Sequence, residues 1–277
     1  MNNYISKYKR RIIIIHFMIS FIFVLFICGI IFLFNGFIEK GVVNSEINNF
    51  KERAEFVKSD IFQGQNVSYY KVKKMYEYED ISRPIYDITK LSNNYIGSKT
   101  DIILTSRNPL RMYGDAIVRD IAGMLSKNFF IGHATINITE DGSKCIESVG
   151  NDEGFDGVRI VDNTWIETEV RYGNDAQIII GLRLKNTTEE KRNKICEELL
   201  KLEGKEYNHL VFLYRKNKYY CTDLISRTLK KENININYDS LYTTGNDIIV
   251  SNETYIIFLC ERVKEGFFNI YYLTEEE

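Results

Sequence analysis

Ile131-Gly132-His133-Ala134-Thr135-Ile136-Asn137-Ile138-Thr139-Glu140-Asp141-Gly142-Ser143-Lys144-Cys145-Ile146-Glu147-Ser148-Val149 alternates, turns and alternates again. In an extended chain Ala134, Ile136 and Ile138 share one face, and His133, Thr135 and Asn137 share the other. Glu140-Asp141-Gly142-Ser143 has hairpin-turn chemistry, because glycine accepts the left-handed backbone that tight turns need. The stretch therefore predicts two antiparallel strands. With the tip at Asp141 and Gly142, residue 138 pairs near 145 or 146. His133 then falls opposite a position just past Val149, and Glu147 lies diagonal to it or one pair away. That register allows a hydrogen bond between His133 and Glu147.

On either side the texture is mixed. Asp101-Ile102-Ile103-Leu104 reads as a short strand, Asn108-Pro109 as a turn, and Gly114-Asp115 as the opening of a second strand, Ala116-Ile117-Val118-Arg119. Residues 176–184 read as another strand. Thr187 or Thr188 caps a helix that runs to about Glu203 and ends at Gly204. Later come an amphipathic helix opening at Cys221 and strands over 255–262 and 267–273. Before residue 101, the spacing of Val42, Ile47, Phe50, Ala54, Val57 and Ile61 predicts a helix over 39–62. Residues 63–100 are polar and Tyr-rich, without a sustained period, and predict irregular chain. The expected fold class is α+β, with an antiparallel sheet flanked by helices.

From Ile12 to Phe34 there is no Asp, Glu, Lys or Arg. This run is long enough to cross a bilayer as a helix. It is too long for the apolar core of a cleaved signal, and no small-x-small site follows it. Lys7, Lys9, Arg10 and Arg11 precede it, while Glu39 and Lys40 follow. The positive-inside rule then leaves residues 1–11 as a cytoplasmic basic tail and everything after the 12–34 anchor outside. Residues 35–100 form a juxtamembrane helix and extension, and 101–277 the main domain.

The chain has 277 residues and a net charge of −2, which gives no electrostatic footprint for nucleic acid. Of its 5 cysteines, Cys28 lies in the apolar run. Cys145, Cys196 and Cys260 read as small buried hydrophobes. No CxxC or HxxxH pair is present, so neither a zinc site nor any other cofactor is expected.

Cys221 differs from the rest. It sits in Tyr219-Tyr220-Cys221-Thr222-Asp223-Leu224-Ile225, where a strand or loop gives way to a helix. A thiol at a helix N-terminus meets unpaired N–H donors and the positive end of the dipole, so its thiolate is favoured. A histidine within reach would make it a nucleophile. There are 3 histidines, and His16 lies in the apolar run. His133 on its strand and His209 before Leu210-Val211-Phe212-Leu213 remain, the second in a stretch that reads as structural. Asp115 reads as a turn-stabilising residue, Tyr207 as a packing residue, and Cys145 as a weaker nucleophile because no helix starts at it.

Gly114-Asp115-Ala116-Ile117-Val118, Gly132-His133-Ala134-Thr135-Ile136, Ile146-Glu147-Ser148, Gly204-Lys205-Glu206-Tyr207-Asn208 and the Cys221 segment occur in that order. Together, over about residues 112–260, they resemble the YaeF/YiiX-like permuted papain-fold hydrolases of the NlpC-type cell-wall peptidase superfamily. In that family the histidine precedes the cysteine. The resemblance implies Cys221 as nucleophile, His133 as base and Glu147 as the residue that orients it. Gly132 and Ala134 depart from the family's commoner neighbours of the histidine, and Thr222-Asp223 stands where Ser-Glu is usual. The implied activity is an extracytoplasmic amidase or peptidase acting on a cell-envelope peptide, peptidoglycan or a lipid amide. A thiol-dependent lipid acyltransferase and a non-catalytic surface binding module are the alternatives.

Overall fold

A computed structural model describes residues 2–90, 94–108, 115–129, 132–152, 154–172, 178–211, 213–237 and 242–275. In chain order its elements are α1 (Asn2–Glu52), β1 (Ala54–Phe62), β2 (Gln65–Lys73), β3 (Ile102–Thr105), α2 (Ala116–Phe129), β4 (His133–Asn137), β5 (Lys144–Asp152), β6 (Phe155–Asp162), α3 (Trp165–Tyr172), β7 (Ile178–Leu184), α4 (Glu189–Leu200), β8 (Glu206–Tyr207), β9 (Lys218–Tyr219), α5 (Cys221–Lys231), α6 (Gly245–Val250), β10 (Thr254–Lys264) and β11 (Phe267–Thr274). Pro109, Gly114, Ile131 and the first residues of the expected 176–184 strand lie outside the described residues.

The hairpin forms as its sequence implies. Thr135 pairs with Glu147, Ile136 with Ile146 and Asn137 with Cys145. The Ile138 N–H donates to the Lys144 carbonyl at 2.9 Å, one step short of the expected partner. Continued by two residues, the register sets His133 opposite Val149 and diagonal to Glu147. Gly142 takes φ +71°, and a Cβ there would stand 2.1 Å from the Gly97 carbonyl oxygen, so this turn admits glycine alone on two counts.

The hairpin belongs to a nine-stranded sheet ordered β1-β2-β11-β10-β7-β3-β4-β5-β6, with β8 and β9 forming a small parallel pair beside it. The large sheet is mixed: β11 and β2 run parallel, so a purely antiparallel sheet is not what forms. Ile102, Ile103, Leu104, Ala134 and Ile136 are all buried, as are Thr135 and Asn137, so the central strands are covered on both faces. The polar face of β4 therefore points into the protein, not into solvent.

Three local readings change. The helix expected through residue 62 stops at Glu52, and 54–62 is an edge strand. Gln63 and Gly64 take φ of 51° and 77°, a hairpin turn that returns the chain as β2, and cross-strand pairing overrides the helical spacing of Val57 and Ile61. The stretch 116–119 is helix, not strand, because Asp115 Oδ1 accepts the Val118 N–H at 3.0 Å and caps α2. Within 63–100, residues 65–73 are strand, and the irregular remainder is tied down. Arg183, fully buried, donates to Asp101 at 2.7 Å and to the carbonyls of Asp80 and Pro84 at 2.5 and 2.7 Å. At the expected 187–203 helix, Thr188 is the cap, accepting from the Lys191 N–H.

α1 is one continuous helix. Between Ile12 and Phe34 its described large apolar side chains are all exposed, and the segment is long and apolar enough to cross a membrane. Farther on, Val43, Ile47 and Phe50 recur at helical spacing and are buried against the core.

Candidate active site

Cys221 is the first residue of α5, and His133 the first of β4. Both strands of the hairpin pack against α5, which carries the thiol to the buried polar face of the sheet. The approach is fixed from below. Ser148 on β5 donates to the Tyr219 carbonyl at 2.7 Å, two residues before the thiol. Thr222 donates to the Thr243 carbonyl at 2.6 Å, directly after it. Tyr220 provides no side-chain cap, so the amides of the first turn of α5 are not taken up by an N-cap side chain.

His133 lies between two partners. Its Nε2 meets Glu147 Oε2 at 2.8 Å, and the Cys221 side chain lies close enough to act on the protonation of the ring. Because Nε2 is taken by Glu147, Nδ1 is the nitrogen left for sulfur. Gly132 makes this placement possible: a Cβ there would stand 2.3 Å from the Thr105 carbonyl oxygen and 2.5 Å from the Arg107 N. The backbone of 105–107 thus crosses the entry to β4 at a distance only glycine tolerates. The indole of Trp165 packs against the imidazole, with ring centres 5.2 Å apart.

Glu147 is itself held. Arg159, its direct cross-strand partner on β6, donates to Oε1 at 2.8 Å and to Asp152 at 2.5 Å. Burial would raise the Glu147 carboxyl, but the hydrogen bonds and charges of His133 and Arg159 hold it below the usual range. Burial likewise disfavours the His133 cation. The neighbouring Cys221 and Glu147 side chains, and the negative charge those groups carry when ionised, outweigh it and raise His133 to about 10. A thiol, an imidazole and a carboxylate so arranged are the three groups that general-base activation of a nucleophile uses.

The other candidates separate from this cluster. His209 is exposed and pairs with Asp156 at 2.9 Å. Cys145 is buried, and burial pushes its thiol up to about 12. Burial also pushes Cys196 up to about 11. All five cysteines are free. Tyr207 does pack, its ring lying where a Cβ on Gly150 would meet it at 2.8 Å. It also lies near the thiol: burial first, then negative charge on Cys221, raises its phenol, and the same holds for Tyr242. Sequence reasoning missed Arg159, Trp165 and Tyr242. Arg159 would have required the third strand and its register; Trp165 is the chain's single Trp but stands in a stretch without periodic signal.

Beside the cluster, a groove of about 830 Å³ runs along α5, lined among others by Tyr214, Tyr220, Asp223, Arg227, Asn237 and Tyr242. Cys221, His133 and Glu147 do not line it; it begins at the residues flanking the thiol. Asp223 and Arg227 pair within it at 3.1 Å. Among the described residues no cluster of three or more His, Cys, Asp or Glu side chains is arranged to hold a metal ion.

No protein-family model matches the chain, and no curated protein does. Among solved structures, the metalloprotein yiiX from Escherichia coli O157:H7 is similar at 10% identity and a TM-score of 0.41, over 58% of this chain and 96% of that one.

Proposed function

We propose that the chain is a membrane-anchored cysteine hydrolase, an amidase or peptidase, with Cys221 as nucleophile, His133 as base and Glu147 orienting His133. The observation that carries this reading is the position of His133, beside the Cys221 side chain and bonded through Nε2 to a buried carboxylate. His133 takes the thiol proton, and the thiolate attacks an amide carbonyl. The amides opening α5 are aimed to stabilise the oxyanion. Imidazolium then protonates the departing amine as the C–N bond breaks and a thioester forms. Water, deprotonated by His133, cleaves the thioester and restores the thiol.

The basic residues before the apolar run favour the site lying outside the membrane, which supports an amide of the cell envelope, in a peptide, peptidoglycan or a lipid, as substrate. The groove along α5 offers room for an extended substrate next to the thiol. The test is release of amines from isolated envelope material by the full chain and by Cys221→Ala. Loss of about a thousandfold or more in rate is expected. Equal release by both proteins removes the proposal.

A further inference from the structure

α2 carries four large apolar side chains on the outside. Ile117, Ile121 and Met124 recur at i, i+4 and i+7 and are 72%, 50% and 56% exposed, with Val118 beside them at 40%. At about 100° per residue these positions share one side of the helix. Ala122 and Ser126, which are buried, lie on the opposite side, with Gly123 next to them. A helix packed on a globular core normally presents the reverse, apolar inward and polar outward.

The inner contact of α2 explains its small residues. Ser126 donates to the carbonyls of Ser106 and Arg107 at 3.0 and 2.9 Å, and a Cβ on Gly123 would meet Asn108 Nδ2 at 3.0 Å. The helix is held close to the 105–108 backbone by hydrogen bonds and small side chains. Ile117 and Ile121 lie on the side away from that contact.

The neighbour of α2 is α1. α1 is buried at Gly36 and Glu39, next to the apolar run, and again at Val43, Ile47 and Phe50. Near Phe50 it shares a cleft with Ile249 and Val250 of α6. Glu39 stands only about 7 Å along the helix axis from Phe34, where the apolar run ends. Phe37 and Ile38, between them, are 62% and 64% exposed. α2 thus packs on the helix that carries the bilayer-length apolar run, whose apolar exposure extends to Phe37 and Ile38.

We propose that α2 is an interfacial helix: Ile117 and Ile121 seat in the boundary between lipid headgroups and acyl chains and hold the folded domain against the membrane surface. The inference rests on α1 crossing that bilayer and is independent of the chemistry at Cys221. Its partner is lipid, because a membrane anchor is already present beside the stripe.

The test uses the full chain in phosphatidylcholine–phosphatidylglycerol vesicles, with lipids brominated at the headgroup end of the acyl chain as quenchers. The single native Trp, Trp165, gives the background in the unsubstituted chain. Ile121→Trp adds a reporter on α2, Ile117→Trp a second one on the same stripe, and Phe23→Trp a control on α1. Both α2 reporters are expected to lose about half of their added emission to the bromolipid, as a side chain at the interface does. If Phe23→Trp is quenched and the α2 reporters emit as in water, the interfacial helix is wrong while the span stands. If the α2 reporters are shielded from water yet unquenched, a protein covers the stripe and the lipid proposal is overturned. If Phe23→Trp is unquenched, the spanning premise fails and the proposal fails with it.

Discussion

His133 sets the character of the site through its bond to the Glu147 carboxylate and its place beside the Cys221 sulfur. The pKa of about 10 means that the imidazolium persists through neutral pH and loses its proton only in alkali. The proposed reaction needs that proton for the leaving amine, so its rate should fall as pH rises through about 10. Glu147→Gln keeps the shape and removes the charge. It should slow amine release by about 10²–10⁴-fold and bring the alkaline limb to lower pH. A pH–rate profile of the two proteins checks both. Stability carries the same signature. A raised His133 pKa stabilises the fold fully below its unfolded value of about 6.5, an effect lost as pH climbs to about 10. The depressed Glu147 pKa stabilises above its own unfolded value of about 4.3 and fades as pH falls. The stability gap between wild type and Glu147→Gln should therefore be widest between about pH 4.3 and 6.5 and narrow on either side. Thermal unfolding across pH reads it, and a flat gap would mean that His133 does not carry the charge.

At the level of elements, the strand that carries His133 begins where another segment crosses it. Gly132 lies under the carbonyls of Thr105 and Arg107 at distances no Cβ permits. Gly132→Ala must move the backbone of 105–107 or the first turn of β4. A cost of about 1–3 kcal/mol or more is expected, together with loss of the His133–Glu147 geometry. Chemical denaturation measures the first, and the His133 ring resonances the second. How legible such elements were in sequence depended on where their signal lies. The β4–β5 hairpin was readable to within one residue because period-two alternation and Asp141-Gly142 agree. The helix behind Cys221 was readable for the same reason, with pattern and boundary coinciding. β1 was not, since Val57 and Ile61 also fit a helix and the decisive turn is the weak pair Gln63-Gly64. α2 was misread because Ala116-Ile117-Val118 has strand composition, while the Asp115 cap that fixes the helix is a single side chain. Arg159 could be found only in three dimensions, since its role comes from the pairing of β6 with β5.

For the whole molecule, the sheet crosses the point at which the sequence changes texture. β11 is paired on one side with β10 and on the other with β2, so residues 65–73 complete the sheet that contains the candidate site. A chain beginning at residue 101 would expose the full length of β11 as an open edge, with buried Ile270 and Leu273 beside it. It would also take from Arg183 the Asp80 and Pro84 carbonyls, leaving a buried guanidinium paired with Asp101 alone. Leaving buried donors without their acceptors costs about 1–3 kcal/mol each, a large share of the stability of a single domain. The expectation is that 101–277 aggregates or unfolds, whereas 36–277, which keeps Val43, Ile47, Phe50 and the β1–β2 hairpin, folds. Circular dichroism with thermal unfolding, and light scattering on both chains, decides the matter. A cooperative, monomeric 101–277 with wild-type reactivity at Cys221 would show that the hairpin and the buried Arg183 contacts are dispensable and that the candidate site stands on the later strands alone.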